Sequence, residues 1–346
     1  MGMTLMKLHR GGGHTTMQDV ARLAGVSPKS VSRVINAEPH VSPRLRARIE
    51  AAIAQLSYVP DTAARSLAGS RTFIIGVLFD NPSPNYTMKI MGGVYRACIE
   101  RQYHMRFDSI DSTQPDADRE AQLSAMLRNS RTDGFVLTPP LTDNRLVLDF
   151  LDRHRVRYCR IAPVIDPDRA PSVAMDDAAA AGEVARFLWQ LGHRSFGLLN
   201  GPAEHGAARQ RRSGFLDALA GLGDEPMVIE GYGGFQFEQG IAAGELLLSG
   251  AQRPTAIFAT NDDSAAGAMV ACARAGLAVP RDISIVGFDD SWIARSVWPY
   301  LTTVYQPIEE MAYAATQMLL DRAPERPTHK KLDFRLIARG TCGPPP

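Results

Sequence analysis

Cysteine is scarce in this 346-residue sequence: Cys98, Cys159, Cys272 and Cys342 lie far apart and form no C-x-x-C pair. That spacing excludes a disulfide frame and a zinc ribbon, and fits thiols used as small core residues in a reducing compartment. Eight histidines are equally scattered, with no H-E-x-x-H, so no metal site is expected. No stretch approaches the roughly 18 apolar residues of a membrane helix. Residues 1–14 carry two charges and a run of three glycines but no apolar core for a signal peptide, and read as a disordered extension. These absences place the chain in the cytoplasm, without a membrane partner. Enzyme signatures are missing as well. Gly201-Pro202 is only a turn without G-x-G-x-x-G, and there is no Walker A lysine motif, no G-x-S-x-G and no convincing acid/base pair. Neither catalysis nor a cofactor is expected.

What the chain has is an uneven distribution of charge. Residues 1–71 hold ten Lys/Arg against four acids, a local charge of +6 in a chain whose total is +1. A basic excess confined to one small segment is the electrostatic footprint of phosphate binding. Two short amphipathic helices lie inside it. Met17 to Ala24 places Val20, Leu23 and Ala24 on one stripe, and Pro28 to Asn36 places Val31, Val34 and Ile35 on another. Between them Gly25 suits a left-handed C-cap, Ser27 an N-cap, and Pro28 the first helical position. This is the grammar of a helix-turn-helix, with the second helix as reader. A third helix from Pro43 to Ser57, capped by Ser42, closes a small core with Leu45, Ile49, Ile53 and Leu56. After Pro60 a segment of barely two turns runs to Gly69, too short to stay helical alone in water.

The runs TTMQDVARLAGVSPKSVSRVINAEPHVS and LSYVPDTAARSLAG resemble the DNA-binding head and hinge of the LacI-type bacterial repressor family. The resemblance implies that Pro28, Lys29 and Arg33 read base edges in the major groove, with Ser27, Ser32 and Asn36 on phosphate or the groove edge. Thr16, His40, Ser42 and Tyr58 complete the implied contacts of the head. Lys29 and Arg33 suit guanine O6 and N7, whereas Pro28 offers only apolar contact. In the linker, Leu67 matches the family's minor-groove wedge, flanked by Ala64 and Arg65. The implied partners are a pseudo-palindromic double-stranded DNA operator and a second copy of the chain. The implied domains are residues 15–59 as head, 60–71 as hinge helix and 72–346 as a two-lobed effector-binding and dimerisation body.

From Thr72 onward apolar strands alternate with amphipathic helices, which predicts parallel sheets covered on both faces and two βαβ lobes of about 120 residues each. The fold class is thus an all-α head on a doubly wound α/β body. By resemblance the body is like a periplasmic sugar-binding protein whose chain crosses between lobes three times, and the tail from Leu301 to Arg339 fits the third crossing. Ligand is then expected in the cleft at the carboxyl ends of the strands.

Polar residues cluster where strands end, among them Asn85 and Tyr86, Asp176 beside Met175, Asn261, and Asp289. Carboxylates and amides accept from sugar hydroxyls, and arginine donates in a fixed fork. Arg211, in the pattern R-x-x-G-F, matches the family's effector arginine; Asn261 and Asp289 match two more ligand positions, Phe235 the stacking aromatic, and Gln306 follows Leu301-Thr302-Thr303. Arg211 and Asp289 are expected on the far lobe, reaching across the cleft. Where many sugar-responsive members carry an aspartate, this chain has Arg160-Ile161-Ala162-Pro163, which makes Arg160 a candidate donor to an anionic group. No leucine heptads follow, so a dimer is expected. The implied effector is a small carbohydrate; whether it weakens or strengthens DNA binding is left open.

Overall fold

The computed structural model describes residues 15–35, 41–58, 71–129, 131–223, 226–321 and 327–346. The chain divides into two units between Phe73 and Ile74.

The first unit is built from α1 (Met17–Ala24), α2 (Pro28–Ile35) and α3 (Pro43–Gln55). Thr16 and Asp19 close a capping box: Thr16 Oγ1 accepts from Asp19 N at 3.3 Å, and Asp19 Oδ2 accepts from Thr16 N at 3.0 Å. Gly25 stops α1 at φ +61°, a left-handed conformation that glycine adopts without penalty. Ser27 Oγ accepts from Ser30 N at 3.2 Å and Ser42 Oγ from Leu45 N at 3.4 Å, so the next two helices are capped as well. Val20, Val31, Val34, Ile49 and Ala52 pack with Tyr58 into one core. Leu23, expected on the buried stripe, is 44% exposed, and Ala21 is buried instead. The stripe runs 17, 20, 21, 24, and Leu23 falls at its edge. Asn36, His40, Ala64, Arg65 and Leu67 lie outside the described residues.

The second unit has two lobes. In the first, β1 (Ile74–Phe79), β2 (His104–Ser109), β3 (Gly134–Leu137), β4 (Tyr158–Ile161) and β5 (Ser172–Ala174) alternate with α4 (Pro84–Glu100), α5 (Asp116–Asn129) and α6 (Arg145–Arg153). The second lobe begins with α7 (Asp177–Gln190) and continues through β6 (Ser195–Asn200), α8 (Gly206–Ala220), β7 (Met227–Tyr232), α9 (Phe237–Ser249) and β8 (Ala256–Ala259). It is completed by α10 (Asp262–Arg274), β9 (Ser284–Asp289) and β10 (Thr302–Tyr305). A tail of α11 (Ile308–Leu320), β11 (His329–Lys331) and β12 (Arg335–Ile337) follows.

The two sheets run β11-β5-β4-β3-β1-β2 and β12-β10-β9-β8-β6-β7. Among the described residues every pairing is parallel except that of β10 with β12. The inner strands β3, β4, β8 and β9 are buried along their whole length, and β3 and β8 accordingly read as unbroken apolar runs, whereas β4 carries Arg160. In each sheet the strand order reverses beside the first strand of the lobe, and the crevice outside the carboxyl ends there is where doubly wound folds bind ligands.

The chain crosses between lobes three times as expected, but the tail makes the second and third of these crossings and not the third alone. After β10 the chain leaves the second sheet at Gln306, α11 packs against α4 and β4 of the first lobe, and β11 joins β5. It then returns, so that β12 pairs antiparallel with β10. The one strand expected near Lys331 to Ile337 is therefore two three-residue strands in different sheets. Runs that short carry no periodicity that would assign them to a sheet. The helix α6, between β3 and β4, was not anticipated either.

Candidate functional site

Strand ends from both lobes converge on one cavity. The first lobe contributes Asn81 and Ser83 after β1, Tyr86 in α4, Pro139 after β3 and Ala162 after β4. The second contributes His205, Ala207 and Arg211 around the start of α8, Phe235 after β7, Asn261 after β8 and Asp289 at the end of β9; Gln306 comes from the crossing segment.

Arg211 is the hub of the second lobe's side. Its Nε donates to Asp177 Oδ1 at 2.8 Å, Nη1 to the Thr260 carbonyl at 2.7 Å and Nη2 to Gln306 Oε1 at 2.9 Å. The guanidinium lies 3.7 Å from the Phe288 ring centroid, so both its edge and its face are engaged. All these partners belong to the second lobe or the crossing segment; Arg211 does not reach across the cleft, contrary to expectation. Asp177 is buried, which raises its carboxyl pKa, while Arg211 pulls it back.

Asp289 sits beside this hub at φ +110°, a strained backbone for a residue with a side chain. Its Oδ1 lies 3.5 Å from Arg211 Nη1 and takes no hydrogen bond. Burial pushes its carboxyl up to about 7 against the pull of Arg211 and Lys89. Across the cavity, the buried Tyr86 hydroxyl also has no hydrogen-bond partner, and burial pushes its pKa up. His205 packs edge-on to Phe235 with centroids 5.5 Å apart, and burial beside Arg211 and Arg209 depresses its pKa to about 4. The imidazole is therefore neutral at pH 7. The set offers a carboxylate, a phenol, a neutral imidazole and spare guanidinium hydrogens against an aromatic wall.

The lobes touch through polar contacts beside the cavity. Asp263, in α10, accepts from Ser83 Oγ at 2.6 Å and Asn85 Nδ2 at 2.5 Å. Lys89 Nζ donates to the carbonyls of Asp289 at 2.7 Å and Asp290 at 2.9 Å.

Of the ten candidate effector residues, Tyr86, Arg211, Phe235, Asn261, Asp289 and Gln306 line the cavity, and Asn85, Arg160, Met175 and Asp176 do not. Arg160 is fully buried with its donors held by the carbonyls of Thr142, Ile165 and Asp166 and by Asp143, which leaves it no path to a ligand. Asp176 caps α7 by accepting from Ala179 N at 2.9 Å and pairs with Lys331 at 2.8 Å. Asn261 lines the cavity but caps α10 by accepting from Ser264 N at 3.0 Å, and its amide donates to the Phe235 carbonyl at 3.1 Å. Met175 is buried apart from the cavity, and Asn85 serves the lobe contact.

On the head, Pro28, Lys29 and Arg33 are exposed along α2, with Lys29 and Arg33 one turn apart on the same face. Ser32 is half-buried, Tyr58 is buried in the core, and Thr16, Ser27 and Ser42 engage their side-chain oxygens in the helix caps.

Residues 16–61 match the family of bacterial regulatory proteins of the lacI type, and residues 185–342 match the periplasmic binding protein-like domain. Over 317 residues the chain is 35% identical to the ribose operon repressor of Escherichia coli K12, covering 89% of this chain and 92% of that one. Over 318 residues it is 35% identical to the HTH-type transcriptional repressor PurR of Proteus mirabilis HI4320, covering 89% and 90%. The chain belongs to the LacI family. A lac repressor dimer solved on its operator with the anti-inducer ONPF superposes with a TM-score of 0.76 at 27% identity, covering 95% of this chain and 99% of that one. This LacI-family regulator thus shares the fold of that repressor. No helix among the described residues is long and apolar enough to cross a membrane.

Reading the LacI-family motifs along the sequence misses Ser83, His205, Asp177 and Asp263. Asp177 follows the strand-end aspartate Asp176, and Asp263 follows the equally acidic Asp262. Which member of an acidic pair caps a helix and which turns inward is a matter of about 100° of helical rotation, set by packing. Asp262 also turns inward, accepting from Thr303 Oγ1 at 2.6 Å and Ser291 N at 2.7 Å, with burial pushing it up to about 8.

Proposed function

We propose that this LacI-family regulator is a cytoplasmic homodimeric repressor of sugar-utilisation genes, whose hold on a pseudo-palindromic operator is controlled by a small neutral sugar bound between the lobes. Residues 15–59 bind DNA, residues 60–71 form the hinge, and residues 72–346 sense the sugar and dimerise. On the head, Lys29 and Arg33 read guanines, Pro28 offers apolar contact, and Leu67 opens the central base step with Ala64 and Arg65 along the groove.

One observation carries the choice of ligand: two buried oxygens, Asp289 Oδ1 and Tyr86 Oη, belong to residues that line the cavity and take no hydrogen bond, although Asp289 Oδ1 is ion-paired with Arg211 at 3.5 Å. A buried polar atom left unpaired costs about 1–3 kcal/mol, which a ligand hydroxyl recovers by donating to the carboxylate or bonding the phenol. Phe235 gives a sugar ring an apolar face to lie on, and Arg211 retains guanidinium hydrogens beyond its three bonds for ring or hydroxyl oxygens. An anionic ligand fits poorly, since it meets Asp289 directly. Ribose is the first candidate, because a ribose operon repressor is among the relatives.

The test is calorimetric titration of ribose and a panel of neutral pentoses and hexoses, beside binding to an operator selected from random duplexes. The reading predicts one sugar that binds and shifts operator affinity, in either direction. If only anionic or nucleobase ligands did so, the neutral-sugar assignment would be wrong.

A further inference from the structure

We propose that Arg160, Asp143 and Val164 form a latch on the first lobe that closes on Gly206 of the second, and that this latch sets effector affinity without touching the effector. The proposal rests on reading the cleft as the effector site.

Arg160, at the end of β4, is entirely buried. Its Nε donates to the Thr142 carbonyl at 2.8 Å, Nη1 to Asp166 O at 2.6 Å, and Nη2 to Ile165 O at 2.6 Å and Asp143 Oδ1 at 3.1 Å. Asp143 Oδ1 in turn accepts from Val164 N at 2.9 Å and Ile165 N at 3.3 Å. Six hydrogen bonds onto residues 142–143 and 164–166 thus hold a loop whose Ala162 and Asp166 both sit at positive φ, 49° and 43°. A buried guanidinium with several carbonyl acceptors is what keeps so strained a loop in one shape.

That loop faces two ways. Ala162 forms part of the cavity wall. Val164, with Asp143, lies against Gly206, the first residue of α8 in the other lobe. A β-carbon at Gly206 would overlap Val164 Cγ2 and stand 2.7 Å from Asp143 Oδ2. The three nearest atoms to such a β-carbon all belong to the first lobe. The backbone of Gly206 is helical and not left-handed, so its own conformation does not call for glycine. Its want of a side chain is used where the lobes meet.

Charge acts in the same direction. His205, the N-cap residue of α8, gives that helix no side-chain cap, and the Asp143 carboxylate stands near its positive end. Because α8 also carries Arg211 one and a half turns further on, closure of the latch and assembly of the effector site occur together. Residues that press only on the closed arrangement shift the equilibrium between open and closed lobes, and ligand affinity scales with the closed fraction.

The experiment compares wild type, Gly206→Ala, Gly206→Ala with Val164→Ala, and Asp143→Asn in the full-length chain. Two quantities are read: ribose affinity by calorimetry, and hydrogen exchange at the amides of residues 206–208 without sugar. Those amides open a helix and so have no intrahelical acceptor, and the residues are buried. Gly206→Ala is expected to weaken ribose binding at least tenfold and to speed exchange there. Val164→Ala in the same chain should recover part of both losses by removing the overlapping methyl, with the close approach to Asp143 Oδ2 remaining. Asp143→Asn, which can keep the amide bonds at Oδ1 but loses the charge, should weaken ribose binding several-fold. Wild-type exchange and affinity in Gly206→Ala, or no recovery on adding Val164→Ala, would overturn the latch. Should wild type bind no ribose, the choice of sugar fails by itself, and the sugar-free exchange rates still decide the latch.

Discussion

Asn85 Nδ2 donates to Asp263 Oδ1 at 2.5 Å, a bond that ties the start of α4 in one lobe to the start of α10 in the other. Burial raises the Asp263 pKa, and the hydrogen bonds of Ser83 and Asn85 oppose that rise. The two donors come from the first lobe, so the carboxylate is satisfied from that side only while the lobes are together.

Asn85→Ala should therefore weaken ribose binding by about 1–3 kcal/mol, the cost of leaving a buried acceptor short of a donor. Operator binding without sugar should stay near wild type. The check is paired titration of sugar and operator; equal losses in both would instead indicate a misfolded body.

Arg211→Ala should abolish the sugar response and also destabilise the body. Arg211 and Asp177 are a buried pair at 2.8 Å, so the loss is not confined to sensing. Removing one member of such a pair costs about 3–5 kcal/mol, because the other is left charged and buried. Denaturant unfolding should show the loss, and replacing Asp177 by Asn in the same chain should restore part of it without restoring sugar binding.

Stability of the sugar-free protein should fall as pH rises from about 4 toward 7. Asp289 has its pKa pushed up to about 7 in the folded state, against about 3.9 unfolded. Between those values the folded chain binds more protons than the unfolded one, so the slope of unfolding free energy with pH is negative. Asp262, pushed up to about 8, extends the decline. A sugar hydroxyl donating to Asp289 favours the ionised form, so ribose binding should release protons near pH 7 and tighten from pH 6 to pH 8. Calorimetry in buffers of different ionisation enthalpy measures the proton count, and Asp289→Asn should reduce it.

Lys29→Ala and Arg33→Ala should each cost about 1–3 kcal/mol of operator binding and relax specificity at one base position per half-site. Competition between selected and scrambled duplexes checks this. An unchanged specificity ratio in both variants would move the reading surface off this face of α2.

The sequence by itself determined what depends on local chemistry and on composition. Gly25, Ser27 and Pro28 dictate where α1 stops and α2 begins, because only a few residue types fit a left-handed C-cap and a first helical turn. Unbroken apolar strands between amphipathic helices dictate parallel sheets, and the basic excess of residues 1–71 marks the nucleic-acid end. Strand ends likewise pointed to Tyr86, Asn261 and Asp289, and the family resemblance to Phe235. Tertiary structure decided what depends on rotation and long-range approach. Arg160 and Asp143 lie 17 positions apart, and nothing local tells a buried loop anchor from a ligand donor. Asp176 and Asp177 differ by one residue, yet one caps a helix and the other holds Arg211. The tail's two crossings hinge on strands three residues long. In each case the deciding energy comes from contacts between distant segments, which no window along the chain contains.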